Sequence, residues 1–514
     1  MRRFDRAVAY AVLAVLTTSC GDAPETAPTA DPERARWVEA LARSWYPGRV
    51  GDLTIIPAEG WVITSAGTSY VFMHGGPWDY DTEIPGIIYG PGLVEPGVRP
   101  DAVSHQDLGA TVLDWLDLTP DYEIAGRPVT GVLDEDARPA AIVVIVLDAF
   151  RADYLTRWAD DVPTLRELAS SGLDLDGARI DYLPTNTAAA HTTLATGTFP
   201  RVHGITGNSY FDRGAGWGRN LFEGASPENL EVPTVADLLG GAVEGAVIAI
   251  QGGTYYPAVG MAGHGACIAG GRAPLMTFYD ERRGRWATNP DCYALPETLS
   301  EVDASGIMAE GDGTWLGHDV ADPGEIRRTA RFARFEAAAL RSVISGTTFG
   351  EDDVTDLFLV NLKSTDYVSH KYGPFSVEMR ETVRVVDGEL AETVDLLASK
   401  TGDRGFVLMI TSDHGMPDEP AGGAHRIRYP EVRELVDRHF DPDGPGVVAH
   451  FDGSENQMYL AHDRLAELGL AVADVSAFLE TQPFARAAIT EDEVRPAGGS
   501  PRSDVGVTSE RSHP

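Results

Sequence analysis

Three apolar runs, each leading to a carboxylate, organise this chain. Ala141-Ile142-Val143-Val144-Ile145-Val146-Leu147 has no polar position and is rich in β-branched side chains. That is the pattern of a parallel strand covered on both faces, and it ends at Asp148. Leu357-Phe358-Leu359-Val360 continues into Asn361-Leu362 and is followed by Asp366 and His370. Their D-x-x-x-H spacing places both side chains on one face if the segment turns helical. Phe406-Val407-Leu408-Met409-Ile410 ends at Asp413-His414-Gly415. Residues 327–345 have helical periodicity. Tyr459-Leu460, then residues 463–470 and 472–479, predict a strand and helices on a peripheral subdomain. The class is α/β.

Asp413-His414 sets one hard and one borderline ligand side by side, which suits a divalent metal such as zinc. A strand-end turn alone would also use Asp and Gly. Carboxylates at three strand ends, with histidines at two of them, exceed what turns require, and ligands of open α/β sheets gather at the carboxyl ends of strands. These positions predict a two-metal hydrolytic site. Thr187 follows a Pro-containing loop and precedes a small-residue segment, so its hydroxyl can sit at a helix N-terminus, where an alkoxide and an incoming anion are favoured. Thr187 as no more than a helix cap is the alternative.

In order, Asp148, Thr187, Thr196-Gly197, His203-Gly204-Ile205, Asn208, Asp366-x-x-x-His370 and Asp413-His414-Gly415 resemble the alkaline phosphatase superfamily. The match is nearest the nucleotide pyrophosphatase/phosphodiesterase branch and the alkaline phosphatases with a Thr nucleophile. The resemblance implies a three-layer α/β/α fold with a mostly parallel central sheet and a cap insertion, placed here at about residues 246–346. Thr187 to Asn208 matches the family's spacing from nucleophile to phosphoryl-binding Asn.

One family ligand, a late His in a segment like H-G-x-x-x-x-Y-D-x-x-I-P, is missing after Gly415, where His425, His439 and His450 lack that context. The segment stands instead near the N-terminus, from His74-Gly75-Gly76 through Tyr80-Asp81 and Ile84-Pro85 to Gly90-Pro91-Gly92, followed by a helix-like stretch from Val103 to Leu116. We read residues 51–137 as the usual C-terminal piece of the catalytic domain moved to the front, a circular permutation, with 138–495 as the remaining core and the charged stretch from Asp134 to Pro139 as the joint. A separate domain at 51–133 is the alternative.

By resemblance, Asp366, His370 and His74 hold one metal, and Asp148, Asp413 and His414 hold the other together with Thr187. The two divalent ions, with zinc favoured over manganese, would lower the hydroxyl pKa of Thr187 and clamp the oxygens of an in-line displacement. A phospho-threonine would form and be hydrolysed, with Asn208 donating to the equatorial oxygens. The family's monoesterases carry a Lys and an Arg before an A-G-H step. Here Ala262-Gly263-His264 is kept, but no basic residue stands between Ile250 and His264. This favours a phosphodiesterase, with aromatic surface from Tyr255, Tyr256 and Phe211, over an alkaline phosphatase, in which Lys363 or Arg426 would supply the charge. A non-catalytic protein binding a phosphate ligand on the same fold is the reading from another class. Sulfatase chemistry is disfavoured, because residues 184–200 contain no Cys.

The N-terminus reads as an address. Arg2, Arg3 and Arg6 precede an apolar stretch too short to span a bilayer, and Thr17-Thr18-Ser19-Cys20 resembles a lipoprotein cleavage box. Residues 1–20 are expected to be a signal peptide with lipid attached at Cys20, 21–50 a tether, and 496–514 a disordered tail. The expected location is the bacterial cell envelope, in the periplasm or on the cell surface. Cys267 and Cys292 make an even pair that can form a disulfide in an oxidising compartment. A net charge of −37 over 514 residues argues against polymeric nucleic acid as substrate and leaves small phosphate esters.

Overall fold

The computed structural model describes residues 31–65, 69–134, 137–418 and 425–496. The signal peptide with Cys20, the first part of the tether and residues 497–514 lie outside the described residues.

A nine-stranded sheet divides the molecule. Its order is Arg285–Ala287, Leu275–Asp280, Ile248–Gly252, Asp356–Leu362, Ala141–Leu147, Phe406–Thr411, Gly86–Tyr89, Leu173–Asp174 and Gly97–Val98. The strands from Leu275–Asp280 to Phe406–Thr411 run parallel to one another, and Gly86–Tyr89 joins antiparallel. Every residue of Ala141–Leu147 is buried. Because side chains alternate across the pleat, Ile142, Val144 and Val146 enter one core with Leu108, Leu113, Leu194 and Val259, while Val143, Ile145 and Leu147 enter the other with Phe332, Leu340, Val383 and Leu390. The strand therefore needs helices on both faces. His105–Trp115, Thr187–Thr196 and Tyr255–Ala262 cover one, and Ala330–Ser345 and Val377–Thr401 cover the other. This is the expected α/β class.

A smaller antiparallel sheet runs Val448–Asp452, Gln457–Leu460, Leu53–Pro57, Ala485–Thr490. Leu53–Pro57 lies inside it, paired on both edges. Trp61–Thr64 pairs with His425–Arg428, and Gly86–Tyr89 belongs to the central sheet. The helix His105–Trp115 lies so close to Thr187–Thr196 that a Cβ on Gly109 would come within 2.4 Å of the Leu194 carbonyl. Elements of residues 51–133 thus pack into both sheets and against the Thr187–Thr196 helix, sharing their cores with the rest of the chain.

Two expected boundaries need correction. The tether does not extend to residue 50, because Pro32–Ala42 is a helix started by Asp31, whose carboxylate accepts from the Glu33 N–H, with Pro32 in the first turn. Trp37, Leu41 and Trp45 are buried against Ile56, Leu183 and Ile489. The expected cap at 246–346 contributes to the core, since Ile248–Gly252 and Leu275–Asp280 are inner strands of the nine-stranded sheet and Arg285–Ala287 its edge strand, and Ala330–Ser345 returns to the sheet as the periodicity of 327–345 predicts. Within that segment Cys267 and Cys292 are disulfide-bonded, with Cα atoms 4.8 Å apart.

Candidate metal centre and active site

Three neighbouring parallel strands deliver the site. Leu362 pairs with Leu147, and Thr411 pairs with Val146, so Asp148, Asp413-His414 and the helix Ser364–Tyr372 emerge level at one sheet edge. On that helix Asp366 and His370 share a face. His74 arrives on the loop ahead of Gly86–Tyr89.

The side chains form two buried trios, His74, Asp366 and His370 in one and Asp148, Asp413 and His414 in the other, each with its ligand atoms within 4.8 Å of one another. In the first, His370 Nε2 lies 3.1 Å and His74 Nε2 3.8 Å from Asp366 Oδ1. In the second, His414 Nε2 lies 3.3 Å from Asp413 Oδ2 and 3.6 Å from Asp148 Oδ1. The rings of His74 and His414 stack with centroids 3.5 Å apart, so the trios adjoin.

Hydrogen bonds behind the rings fix how they present themselves. The Nδ1–H groups of His74, His370 and His414 donate to the carbonyls of Thr185, Phe72 and Gly415 at 2.9, 2.6 and 2.9 Å. That tautomer aims each Nε2 lone pair inward, as in metal-binding histidines. Burial, with His370 adding to it, pushes His74 down to about 3, and burial holds His414 well below the imidazole range, so both rings stay neutral and can ligate. Asp148 Oδ1, Asp366 Oδ1, Asp413 Oδ2 and His414 Nε2 are buried without a hydrogen-bond partner. Buried polar atoms are normally satisfied. Four orphans converging on two trios of Asp and His fit divalent cations.

Thr187 is the first residue of its helix and is buried beside the trios, with Asn186 as N-cap. Asn208 Oδ1 accepts the Ala188 N–H at 3.0 Å, which orients the amide so that Nδ2 is its remaining donor. All eight site residues expected from sequence therefore lie at this end of the sheet.

Lys363 is a larger participant than sequence indicated. Its Nζ donates to Asp148 Oδ2 at 2.8 Å and to Thr187 Oγ at 3.2 Å, and pairs with Asp366 Oδ2 at 2.8 Å. It uses the carboxylate oxygens that the trios do not. Burial opposes its charge, but Asp148, Asp366 and Asp413 outweigh burial and hold the ammonium well above its usual range. Gly253 makes room, since a Cβ there would lie 2.4 Å from Lys363 Cβ. Arg426 instead stacks over the Phe72 ring at 4.4 Å. Phe211 differs from expectation too, being buried and stacked on His450 at 5.1 Å, which leaves the stacked pair Tyr255 and Tyr256 as half-buried aromatic surface.

Sequence reading also missed the supports. Asn361 Nδ2 donates to Asp148 Oδ2 at 2.7 Å and lies 3.0 Å from His191 Nε2. Glu336 accepts the N–H groups of Lys363 and Ser364 at 2.8 and 3.1 Å, securing the start of the Asp366 helix. His191 stands one turn after Thr187, a findable signal. Glu336 and Asn361 carry no local signal of their own.

The sequence profile of the family described as type I phosphodiesterase / nucleotide pyrophosphatase matches residues 142–474. The chain belongs to that family. It is thereby a phosphoester hydrolase of the alkaline phosphatase superfamily. Alkaline phosphatase PafA of Elizabethkingia meningoseptica is 26% identical over 413 residues, which cover 67% of this chain and 73% of that one. Alkaline phosphatase PhoV of Synechococcus elongatus is 27% identical over 364 residues, 60% of this chain and 64% of PhoV, so the match spans less than two thirds of that relative. The human ectonucleotide pyrophosphatase/phosphodiesterase family member 1 is 23% identical over 274 residues, 52% of this chain and 23% of that one. The crystal structure of wild-type PafA superposes with a TM-score of 0.54 at 24% identity, covering 68% of this chain and 77% of that chain, a likeness of fold. His74 lies outside the matched range. Among the described residues no helix is long and apolar enough to cross a membrane.

Proposed function

We propose that this protein is a metal-dependent phosphodiesterase that works through a phospho-threonine on Thr187. The observation that carries the reading is the position of Thr187 Oγ at a helix N-terminus, 3.2 Å from Lys363 Nζ and beside two trios whose orphaned atoms suit divalent cations. Asp366, His370 and His74 would hold one ion, and Asp148, Asp413 and His414 the other, next to Thr187. Two divalent ions, zinc by ligand type, would supply Lewis-acid charge for the attacking and leaving oxygens.

Thr187 Oγ attacks phosphorus in line, the P–O bond to the leaving alcohol breaks, and water then cleaves the phospho-threonine and restores the hydroxyl. The Asn208 amide donates to an equatorial oxygen, and the dipole of the Thr187 helix favours the anion. Lys363 steadies the hydroxyl oxygen and links the two carboxylates, one from each trio.

Charge supports the diester reading. Against two divalent ions and one ammonium stand Asp148, Asp366, Asp413 and the Thr187 alkoxide. The single surplus positive charge matches a diester monoanion and falls short of a monoester dianion. The second reading, a phosphate monoesterase, is favoured by Lys363 at the nucleophile and by relatives named alkaline phosphatases.

We further read the front position of residues 51–137 as a circular permutation, the substrate as a small phosphate ester, and the protein as exported and lipid-anchored at Cys20. The zinc-loaded protein should turn over an aryl phosphate diester with a higher kcat/KM than the matching monoester. Thr187→Ala should lose at least a thousandfold in kcat, on the scale of removing a nucleophile, while still binding two metal equivalents. Undiminished turnover by Thr187→Ala would overturn the mechanism, monoester preference would select the second reading, and metal binding without turnover by the unmodified protein would point to a binding protein.

A further inference from the structure

The small antiparallel sheet reaches the active site through one turn. Between Val448–Asp452 and Gln457–Leu460 the chain passes through Glu455, a carboxylate that is only 1% exposed. Its Oε1 accepts the Asn208 backbone N–H at 2.6 Å, and its Oε2 accepts from Asn186 Nδ2. The Ser209 N–H is a further donor. Asn186 is the N-cap of the helix that begins with Thr187, and Asn208 in turn accepts the Ala188 N–H. A ring of contacts therefore runs from Glu455 to Asn186, along Thr187 and Ala188, to Asn208, and back to Glu455.

The chain makes space for this carboxylate. A Cβ on Gly207 would stand 2.2 Å from Glu455 Oε2, so any larger residue there would displace it. The next residue of the turn, Asn456, faces the loop that carries His74, since its Nδ2 and Asn186 Oδ1 are among the nearest atoms to a Cβ built on Gly75, each at 3.8 Å. One turn of the peripheral sheet thus touches the segments bearing Thr187, Asn208 and His74.

Burying an ionisable carboxylate is costly unless its acceptors are used, and a surface hairpin needs no such group for its own stability. We infer that Glu455 is a positioning residue for the reaction: it fixes Asn208 and the start of the Thr187 helix relative to each other, so that hydroxyl and amide donor converge on one phosphoryl group. The inference rests on the roles proposed for Thr187 and Asn208. Misplacing a reacting group by about 1 Å costs on the order of a hundredfold, which sets the effect of losing the carboxylate.

The test compares Glu455→Gln, Glu455→Ala, Asn208→Ala and the Glu455→Ala/Asn208→Ala pair in the full-length, zinc-loaded protein with an aryl phosphate diester. Measurements are made well below each variant's Tm. Glu455→Ala is expected to lower kcat by about a hundredfold with KM changed by less than about threefold, and the pair is expected to be little worse than Asn208→Ala alone, the non-additivity of residues acting as a unit. Glu455→Gln keeps the acceptor for Asn208 but turns a donor toward Asn186 Nδ2, so it should lose about tenfold. Exchanging the partner as well, in Glu455→Gln/Asn186→Asp, should recover most of that loss, because an Asp at 186 accepts what the Gln donates.

Wild-type kcat in folded Glu455→Ala, or full additivity with Asn208→Ala, would overturn the inference. If Glu455→Ala does not fold, the Gln variant and its swap decide, and unchanged kcat in Glu455→Gln would overturn it. Thr187→Ala run alongside separates the two readings. Loss of turnover there with normal Glu455 variants refutes only the positioning role.

Discussion

At the scale of single residues the active end of the sheet is a collection of buried charges held by neighbours, and Asp81 shows what happens when the holding is incomplete. Its Oδ2 accepts the Gly76 N–H at 2.8 Å, but Oδ1 is buried with no hydrogen-bond partner. Burial pushes its carboxyl up to about 8, with Gly76 and Arg151 opposing. The folded protein then holds that proton through a pH range in which the unfolded chain has released it. A folded-state pKa above the unfolded value of about 4 means that the group's contribution to stability falls as pH rises from about 4 to about 8. Asp81→Asn keeps an acceptor for Gly76 and cannot ionise. It should therefore stabilise the protein more at pH 8 than at pH 5, because the linkage cost of the ionised carboxyl accumulates between about 4 and about 8 at up to about 1.4 kcal/mol per pH unit. Thermal unfolding at the two pH values measures the difference, and an equal shift at both would remove the explanation. Individual residues were unevenly legible in the sequence. Asp148, Asp413 and His414 stand at the ends of apolar runs and declare themselves. His74 has no local pattern, and its role followed only from resemblance. Glu455 and Glu336 could not be read at all, because the backbone N–H groups they accept are brought close only by the fold.

Whole elements followed pattern where pattern had a single cause. The all-apolar Ala141–Leu147 must be a strand covered on both faces, and the Asp366/His370 spacing makes sense only on a helix, as found in Ser364–Tyr372. Pro32–Ala42 was obscured because four of its eleven residues are charged and the acidic, Pro-containing lead-in reads as linker. What makes it a folded element is tertiary: Trp37 packs edge-on against Trp78, with centroids 5.9 Å apart, and lies under the Arg486 guanidinium at 5.4 Å. The segment expected as a cap was obscured for a related reason. Its Gly and aromatic content suggested an insertion, yet Ile248–Gly252 is short, buried and paired on both sides. Removing a buried Trp side chain costs about 3–5 kcal/mol. Trp37→Ala should therefore lower stability by about that amount, with kcat at low temperature unchanged because the ring partners of Trp37 are Trp78 and Arg486, neither of them in the metal trios. Denaturant unfolding with parallel activity assays tests this, and a change below about 1 kcal/mol would mean that the helix does not contribute to the fold as its burial implies.

For the molecule as a whole, the question is how a chain carrying a net charge of −37 tolerates three carboxylates buried together at the end of its main sheet. Unpaired buried charges of like sign are among the costliest features a fold can contain. Lys363 offsets much of that cost from within the chain, since it joins Asp148 to Asp366 through oxygens that the metal trios leave alone. Metal removal should consequently abolish turnover without unfolding the protein. The stripped chain should still melt in one cooperative transition, and zinc at a hundred times its Kd should add about 2.7 kcal/mol for each site, from mass action alone. Lys363→Met should reverse the balance. Without the ammonium the metal-free protein has no internal cation between the trios, so its Tm should fall by more than that of the metal-loaded protein, in which bound ions neutralise the same carboxylates. Calorimetry of both proteins with and without zinc gives the four values needed. Equal losses in the two states would show that Lys363 contributes packing alone, whereas a larger loss in the metal-free state would establish that the fold carries its own substitute charge for the site it keeps open.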